Sequence, residues 1–150
     1  VAGEALRIWA VRHIGVISRT RADRSGPLVV SGPFAIVRNP LYVGNLLIWS
    51  GMACWAGARW ALPVCWLIFV PYYVLISRWE EQLLTTRLGE PYRAYKRRVN
   101  AWLPRVPDSA EVFARASYSW RDTLFSERGT LVAIVVMATL LTAKIVWVRV

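Results

Sequence analysis

Two uncharged apolar runs, residues 41–58 and 60–77, stand back to back with only Arg59 between them, and this pair constrains the fold more than anything else in the chain. Each run is 18 residues long, about 27 Å of α-helix at roughly 1.5 Å per residue, close to the thickness of a bilayer hydrocarbon core. Gly57 just before Arg59 and Pro63 just after it supply a helix stop and a helix start. The pair reads as an antiparallel transmembrane hairpin whose arms begin and end at matching heights. A third run, residues 130–147, is apolar apart from Lys144 and a few hydroxyls, and predicts a further span whose lysine stem reaches back to the interface.

Charge then orients this scaffold. The chain is 56% hydrophobic, with nine tryptophans, yet carries a net charge of +10. A soluble domain of 150 residues is rarely this apolar, whereas a small bundle in lipid is. Without a basic tail, zinc spacing or RNA-binding signature, the charge points to anionic lipid headgroups and not to nucleic acid. Arg19, Arg21, Arg24 and Arg38 precede the hairpin, and Arg78, Arg87, Arg93, Lys96, Arg97, Arg98 and Arg105 follow it, while Arg59 is alone at the tip. The positive-inside rule puts both hairpin ends in the cytoplasm, as in a bacterial inner membrane, and the C-terminus outside.

Residues 1–17 are too short and too charged to span, and read either as an interfacial helix or as the end of a preceding span. The chain begins with Val, with no signal peptide, which favours a truncated or processed N-terminus. Cys54 and Cys65 fall at similar depth on adjacent arms and read as packed thiols. Together with a lone His they make no metal site.

The polar segments carry whatever chemistry there is. Gly26-Pro27 and Gly32-Pro33 bracket a short extended stretch, and Asn39-Pro40 begins a helix with a favoured N-cap and a favoured first residue. Free backbone donors there attract a carboxylate or phosphate, although ordinary capping gives the same pattern. Glu80 and Glu81 point about 100° apart on a helix, so one of them faces a pocket, or both are solvated beside Arg78. Tyr92, Tyr95 and Val99 share one face opposite Arg93, Lys96 and Arg97, which suits an amphipathic helix on the headgroups, a cofactor contact, or both. Pro71 lies mid-span and predicts a kink. Residues 106–129 are mixed in charge and read as an interfacial connector, with Trp120 and Phe125 at the interface.

The run Gly32-Pro33-Phe34, then Arg38-Asn39-Pro40-Leu41-Tyr42-Val43-Gly44, resembles the first signature of the isoprenylcysteine carboxyl methyltransferase and phospholipid methyltransferase family. Glu80-Glu81, then Leu88-Gly89-Glu90, Tyr92, Tyr95, Val99 and Pro104, is similar to that family's second block, and Leu6-Arg7, Trp9-Ala10 and Ile14-Gly15 resemble the end of its preceding helix. The resemblance covers residues 3–105, with the hairpin in the right place. It implies an integral membrane enzyme that uses S-adenosylmethionine without a Rossmann domain, in a cytoplasmic pocket built from the two blocks. Carried over by position, Arg38, Asn39, Pro40, Tyr42, Gly44, Glu80, Glu81, Tyr92 and Tyr95 are the cofactor-binding candidates. Glu81 and Arg78 are the candidates for the chemical step, Arg78 by orienting an anionic acceptor group. Asn39 departs from the family's usual His; it keeps a donor and an acceptor but cannot become cationic. Phe34 replaces the usual Tyr.

The sequence thus predicts one all-α domain over residues 1–150, a multi-span helical bundle with a cofactor-binding segment at residues 78–105. The expected activity is methyl transfer to a lipid or lipid-linked acceptor, either a prenylcysteine-like carboxylate or a phospholipid amine, with membrane lipids as partners and no nucleic acid. Residues 130 onward supply a packing helix or a homo-oligomer contact. The competing readings are a non-catalytic protein that retains the fold, kept open by Asn39, and an NADPH-dependent enzyme like the sterol reductases.

Overall fold

The structure, a computed structural model, describes residues 1–15 and 28–149. Arg19, Arg21, Arg24 and the Gly26-Pro27 turn lie outside the described residues. Seven helices and no strands make up the described residues: α1 (Ala2–Ile14), α2 (Pro33–Ile36), α3 (Pro40–Trp55), α4 (Ala61–Leu88), α5 (Glu90–Arg98), α6 (Ser109–Val112) and α7 (Trp120–Arg149). The chain is an all-α membrane protein.

The hairpin forms as its composition requires. Tyr42 stacks on Tyr73 at 5.0 Å, Trp49 stacks on Phe69 at 5.1 Å, and the Trp66 indole donates to the Ser50 hydroxyl at 3.0 Å. These pairs converge as one helix is followed up and the other down, which fixes an antiparallel register between α3 and α4. The arms are unequal, however. α3 stops at Trp55, three residues short of the expected end, where the chain turns through Gly57 in the left-handed region. α4 runs through Pro71 as one element and continues eleven residues past the apolar run. Its extension from Arg78 to Leu88 is mostly Arg, Glu, Gln and Leu, good helix formers, and has no Gly or Pro, so nothing halts it until Gly89, at φ 62°, reverses the chain.

α7 likewise starts ten residues before the expected span. Ser119 caps it: the Asp122 backbone N–H donates to the Ser119 hydroxyl at 3.2 Å, and that hydroxyl donates back to the Asp122 carboxylate at 2.6 Å. This start converts part of the expected connector, residues 106–129, into helix. Much of the remainder is docked, since the Gly32 N–H donates to the Glu111 carbonyl at 2.9 Å and Glu111 pairs with Arg98 and Arg105.

Two helices, α4 and α7 over Trp120–Trp147, are long and apolar enough to cross a membrane, whereas α3 at 16 residues is shorter than the expected span. In the most apolar stretch of α7 no residue is buried within the protein. Val132, Val135 and Leu140 on it are all about 60% exposed. So much unpartnered apolar surface is stable in lipid and not in water. Cys54 is exposed on the outer side of α3 and is not packed as expected; Cys65 is partly buried, and both thiols are free.

α1 is no loose surface helix. It packs antiparallel on α3, and the approach is so close that a Cβ on Gly44 would sit 2.6 Å from the Arg7 Cγ and 2.8 Å from the Gly3 carbonyl oxygen. Both glycines are therefore required by packing. At the other end of α1, buried His13 lies against Ser31 with 3.2 Å between Nδ1 and the hydroxyl oxygen. Burial, reinforced by neighbouring Arg12, holds the imidazole below its ordinary 6.5, so the folded chain favours the neutral ring. On acidification the unfolded chain takes up this proton first. Stability is accordingly expected to be full above pH 6.5 and to fall as the pH drops through that value. Thermal unfolding in detergent between about pH 7.5 and 5 should show this slope, and His13→Gln should flatten it.

Candidate functional site

The charged end of the hairpin is built from four pieces of chain. α3 enters it through Arg38 and Asn39, α4 leaves it through Glu80 and Glu81, α5 folds back over it after Gly89, and residues 99–105 run beside residues 34–39. Those two segments are joined by backbone bonds from the Arg38 N–H to the Asn100 carbonyl at 2.9 Å and from the Arg105 N–H to the Ile36 carbonyl at 3.0 Å. Asn39 occupies the N-cap position but makes no side-chain cap; its amide donates to the Ala101 carbonyl at 3.1 Å. The side-chain capping read from Asn39-Pro40 is thus replaced by a bond across to the second segment.

Arg38 is the hub. Its Nε and Nη2 donate to the same Glu81 oxygen, at 3.1 and 2.9 Å, and Nη1 donates to the carbonyls of Lys96 and Val99, both at 2.9 Å. The other Glu81 oxygen takes Lys96 Nζ at 3.0 Å. Arg38 and Glu81 are only 11% and 13% exposed, so this pair is weakly screened, whereas Lys96 at 36% is partly in solvent and contributes less. By bonding the final carbonyls of α5, Arg38 also places a cation at the negative end of that helix.

Glu80, one residue earlier, faces a different partner. It accepts from the Tyr42 hydroxyl at 2.9 Å. Both carboxylates therefore point into the same end of the bundle, divided between an aromatic neighbour and a cationic one by their angular offset. The Tyr42 ring lies between Tyr73 and Glu80, with Trp102 6.3 Å away at 31°.

The remaining candidates divide. Pro40 is buried at the helix start, and Gly44 lies beneath α1, so its role here is packing. Tyr92 and Tyr95 are buried with Val99 against Leu28, Val30 and Leu88, and the Tyr95 hydroxyl donates to the Phe34 carbonyl at 2.8 Å. Their face closes a protein core and does not lie on headgroups. Burial drives both phenols far above their ordinary range; Glu81 adds to the effect at Tyr92, and Tyr92 adds to it at Tyr95. Arg78 is exposed, on the rim of an open depression of about 410 Å³ that Glu81, Gln82, Thr85, Thr86 and Lys96 also line.

Sequence reasoning did not pick out Trp102 or a second polar cluster one turn deeper. There Arg7 of α1 donates to the Asn45 side-chain oxygen at 2.6 Å and to Glu127 of α7 at 2.7 and 3.1 Å. The signal for it was present: Thr123, Ser126, Glu127 and Thr130 form a polar stripe at helical spacing on an otherwise apolar helix.

Carboxylates, a largely buried arginine and an aromatic cluster are thus gathered at the polar end of the hairpin in an all-α membrane protein. Residues 1–90 match the family model for phospholipid methyltransferases, and the chain belongs to that family. It is 31% identical over 100 residues to the cobalt-zinc-cadmium resistance protein CzcN of Cupriavidus metallidurans, covering 67% of this chain and 43% of that protein. It is 29% identical over 100 residues to the nickel-cobalt-cadmium resistance protein NccN of Alcaligenes xylosoxydans xylosoxydans, covering 67% of this chain and 44% of that protein. The chain thus spans less than half the length of these curated relatives. No solved structure matches it.

Proposed function

We propose that this chain is an S-adenosylmethionine-dependent methyltransferase that modifies a lipid or lipid-linked acceptor, with its cofactor site on the cytoplasmic side of a bacterial inner membrane. The observation that carries the reading is the convergence of Tyr42, Glu80 and the Arg38–Glu81–Lys96 cluster at one end of the hairpin. This donor set fits the cofactor. The amino-acid end of S-adenosylmethionine is zwitterionic, and carboxylates lie here beside a partly exposed lysine and an exposed arginine. Its sulfonium and adenine suit aromatic faces, which Tyr42 and Trp102 offer.

When bound, the cofactor supplies an electrophilic methyl group. The residues of the chain then have three tasks. Tyr42 and Glu80 orient the donor, Arg38 holds α5 and α4 at fixed distance so that the pocket keeps its shape, and Arg78 aligns an acidic or phosphate-bearing acceptor. Methyl transfer is an in-line displacement, so this alignment supplies much of the rate without a strong base. A carboxylate acceptor needs no deprotonation at neutral pH; an amine acceptor must first lose a proton, for which a lipid phosphate or a carboxylate is at hand.

Asn39 is compatible with this reading. Its amide donates to the Ala101 carbonyl, a bond that the N–H of a neutral imidazole makes equally well. The departure from the family pattern therefore preserves a structural contact. Membrane lipids and self-association through the lipid-facing surface of α7 belong to the same proposal.

The test is binding of radiolabelled S-adenosylmethionine to the detergent-purified chain. Saturable binding is expected, weakened at least about tenfold in Tyr42→Ala and in Glu80→Gln by loss of a hydrogen bond to a charged group, and indifferent to NADPH. Competition by NADPH would transfer the site to reductase chemistry, and a folded sample that binds neither would leave a non-catalytic membrane protein.

A further inference from the structure

α7 lies beyond the family-matched residues 1–90, and three arginines gather where it begins. Arg12 reaches across from the last turn of α1 and lies over the Trp120 ring at 3.9 Å, its Nε buried with no acceptor. Arg128 lies over the Phe125 ring at 3.7 Å and donates to the Phe125 carbonyl at 2.9 Å. Arg121 is exposed one turn ahead of it. Among the described residues none of the three forms an ion pair. The neighbouring acids are engaged elsewhere, Glu127 by Arg7 and Asp122 by the Ser119 hydroxyl. Contact with a ring attracts a guanidinium but gives its N–H groups no acceptor, so the cluster retains both charge and donors.

The surface around them faces away from the protein. Leu124 and Phe125 follow Arg121 at three and four residues, Arg128 at seven, and Val132 and Val135 at eleven and fourteen, so a single stripe of α7 carries all six. Each of them is exposed, whereas Thr123, Ser126 and Glu127 on the opposite side are buried. Arg121 and Arg128 are about 10 Å apart along the axis at roughly 1.5 Å per residue, just ahead of the apolar run 130–147. That is the level at which phospholipid phosphates meet a spanning helix. Guanidinium groups suit a phosphate in particular, because their planar fork can bond two of its oxygens at once. A second copy of the chain docked here would instead set guanidinium against guanidinium.

We propose that the start of α7 is a binding site for an anionic phospholipid of the surrounding bilayer. Arg121 and Arg128 bond the phosphate, Arg12 adds its charge at the edge, and an acyl chain lies along Leu124, Val132 and Val135. The selectivity follows from the charge balance, three guanidinium groups against the single neighbouring carboxylate left without a cation, that of Asp122. Phosphatidylglycerol brings only negative charge to this cluster, whereas phosphatidylcholine brings an ammonium as well. The site is separate from the charged end of the hairpin and stands whether or not the cofactor reading does.

The experiment titrates the detergent-purified chain with phosphatidylglycerol, phosphatidylcholine and glycerol phosphate and reads the first bound molecule by native mass spectrometry. Phosphatidylglycerol should bind at least about tenfold more tightly than phosphatidylcholine, and glycerol phosphate should not be retained. Arg121→Gln and Arg128→Gln should each weaken phosphatidylglycerol about fivefold, the share of one basic residue at a lipid surface, and together they should abolish the preference. Each single variant carries the test if the double one does not fold. Arg59→Gln, the same loss of charge at the opposite end of the hairpin, should change nothing. Equal affinity for the two lipids, or a preference that survives the double substitution, would overturn the proposal. So would retention of glycerol phosphate, which would make this a site for free phosphate, or a lipid-free dimer lost in the double variant, which would give the surface to a second copy.

Discussion

Arg38→Ala is expected to lower S-adenosylmethionine affinity by at least about a hundredfold, the largest functional loss of any single substitution at the site. Removing the guanidinium leaves Glu81 with only half-exposed Lys96, and strips both the Lys96 and Val99 carbonyls of their donor. Breaking one side of a largely buried ion pair typically costs about 3–5 kcal/mol, because the remaining charge is left without compensation. The loss falls on the junction of α3, α4 and α5, so amide hydrogen exchange over residues 90–98 should accelerate in parallel. Arg38→Lys should recover only a small part. An ammonium is a point charge and cannot reach a carboxylate and two carbonyls on the other side at once. Near-normal binding in Arg38→Ala would show that α5 needs no clamp.

The prediction depends on a distinction between residues that touch a ligand and residues that hold the site. All four Arg38 hydrogen bonds go to the Glu81 carboxylate or to backbone carbonyls of the chain itself, and only one guanidinium N–H is left over. Tyr92 and Tyr95 belong with Arg38 in the second group, since their rings are enclosed with Val99 and one hydroxyl is bonded to Phe34. Tyr42 and Glu80 keep accessible surface, and under the proposed function they belong with the first.

This division explains which features could be read from sequence. The hairpin was legible because an unbroken apolar run has no stable alternative, and its register follows from the aromatic pairs at 42/73 and 49/69. Helix ends were not, because hydropathy marks where the membrane stops and not where the helix does. α4 continues through Arg78 to Leu88 because those residues favour helix, and α7 begins at a Ser119–Asp122 cap that a search for apolar runs passes over. The Tyr92–Tyr95–Val99 periodicity correctly marked a face, but whether it met lipid or protein depended on Leu28 and Val30, some sixty-five residues away. Arg38 was legible as a charge in a motif; its acceptors, 43 to 61 residues downstream, were not.

The longest such connection gives the largest expected loss of stability. Glu127 is fully buried and bonded to Arg7, 120 residues earlier, and the same guanidinium reaches Asn45 and, more weakly, Thr130. Arg7 thereby ties α7 to both α1 and α3 through one charge. Glu127→Ala should cost about 3–5 kcal/mol and lower the midpoint of thermal unfolding in detergent by roughly 10 °C, since Arg7 would be left buried beside the weaker contact to Glu4 at 3.6 Å. The double substitution Arg7→Met with Glu127→Leu should recover most of that loss. Two apolar side chains need no mutual compensation, and a buried pair pays back little more than its own desolvation. A double variant as unstable as the sum of its parts would mean that Arg7 acts through Asn45 and not through Glu127. In that case Glu127→Ala by itself should move the midpoint by less than about 2 °C.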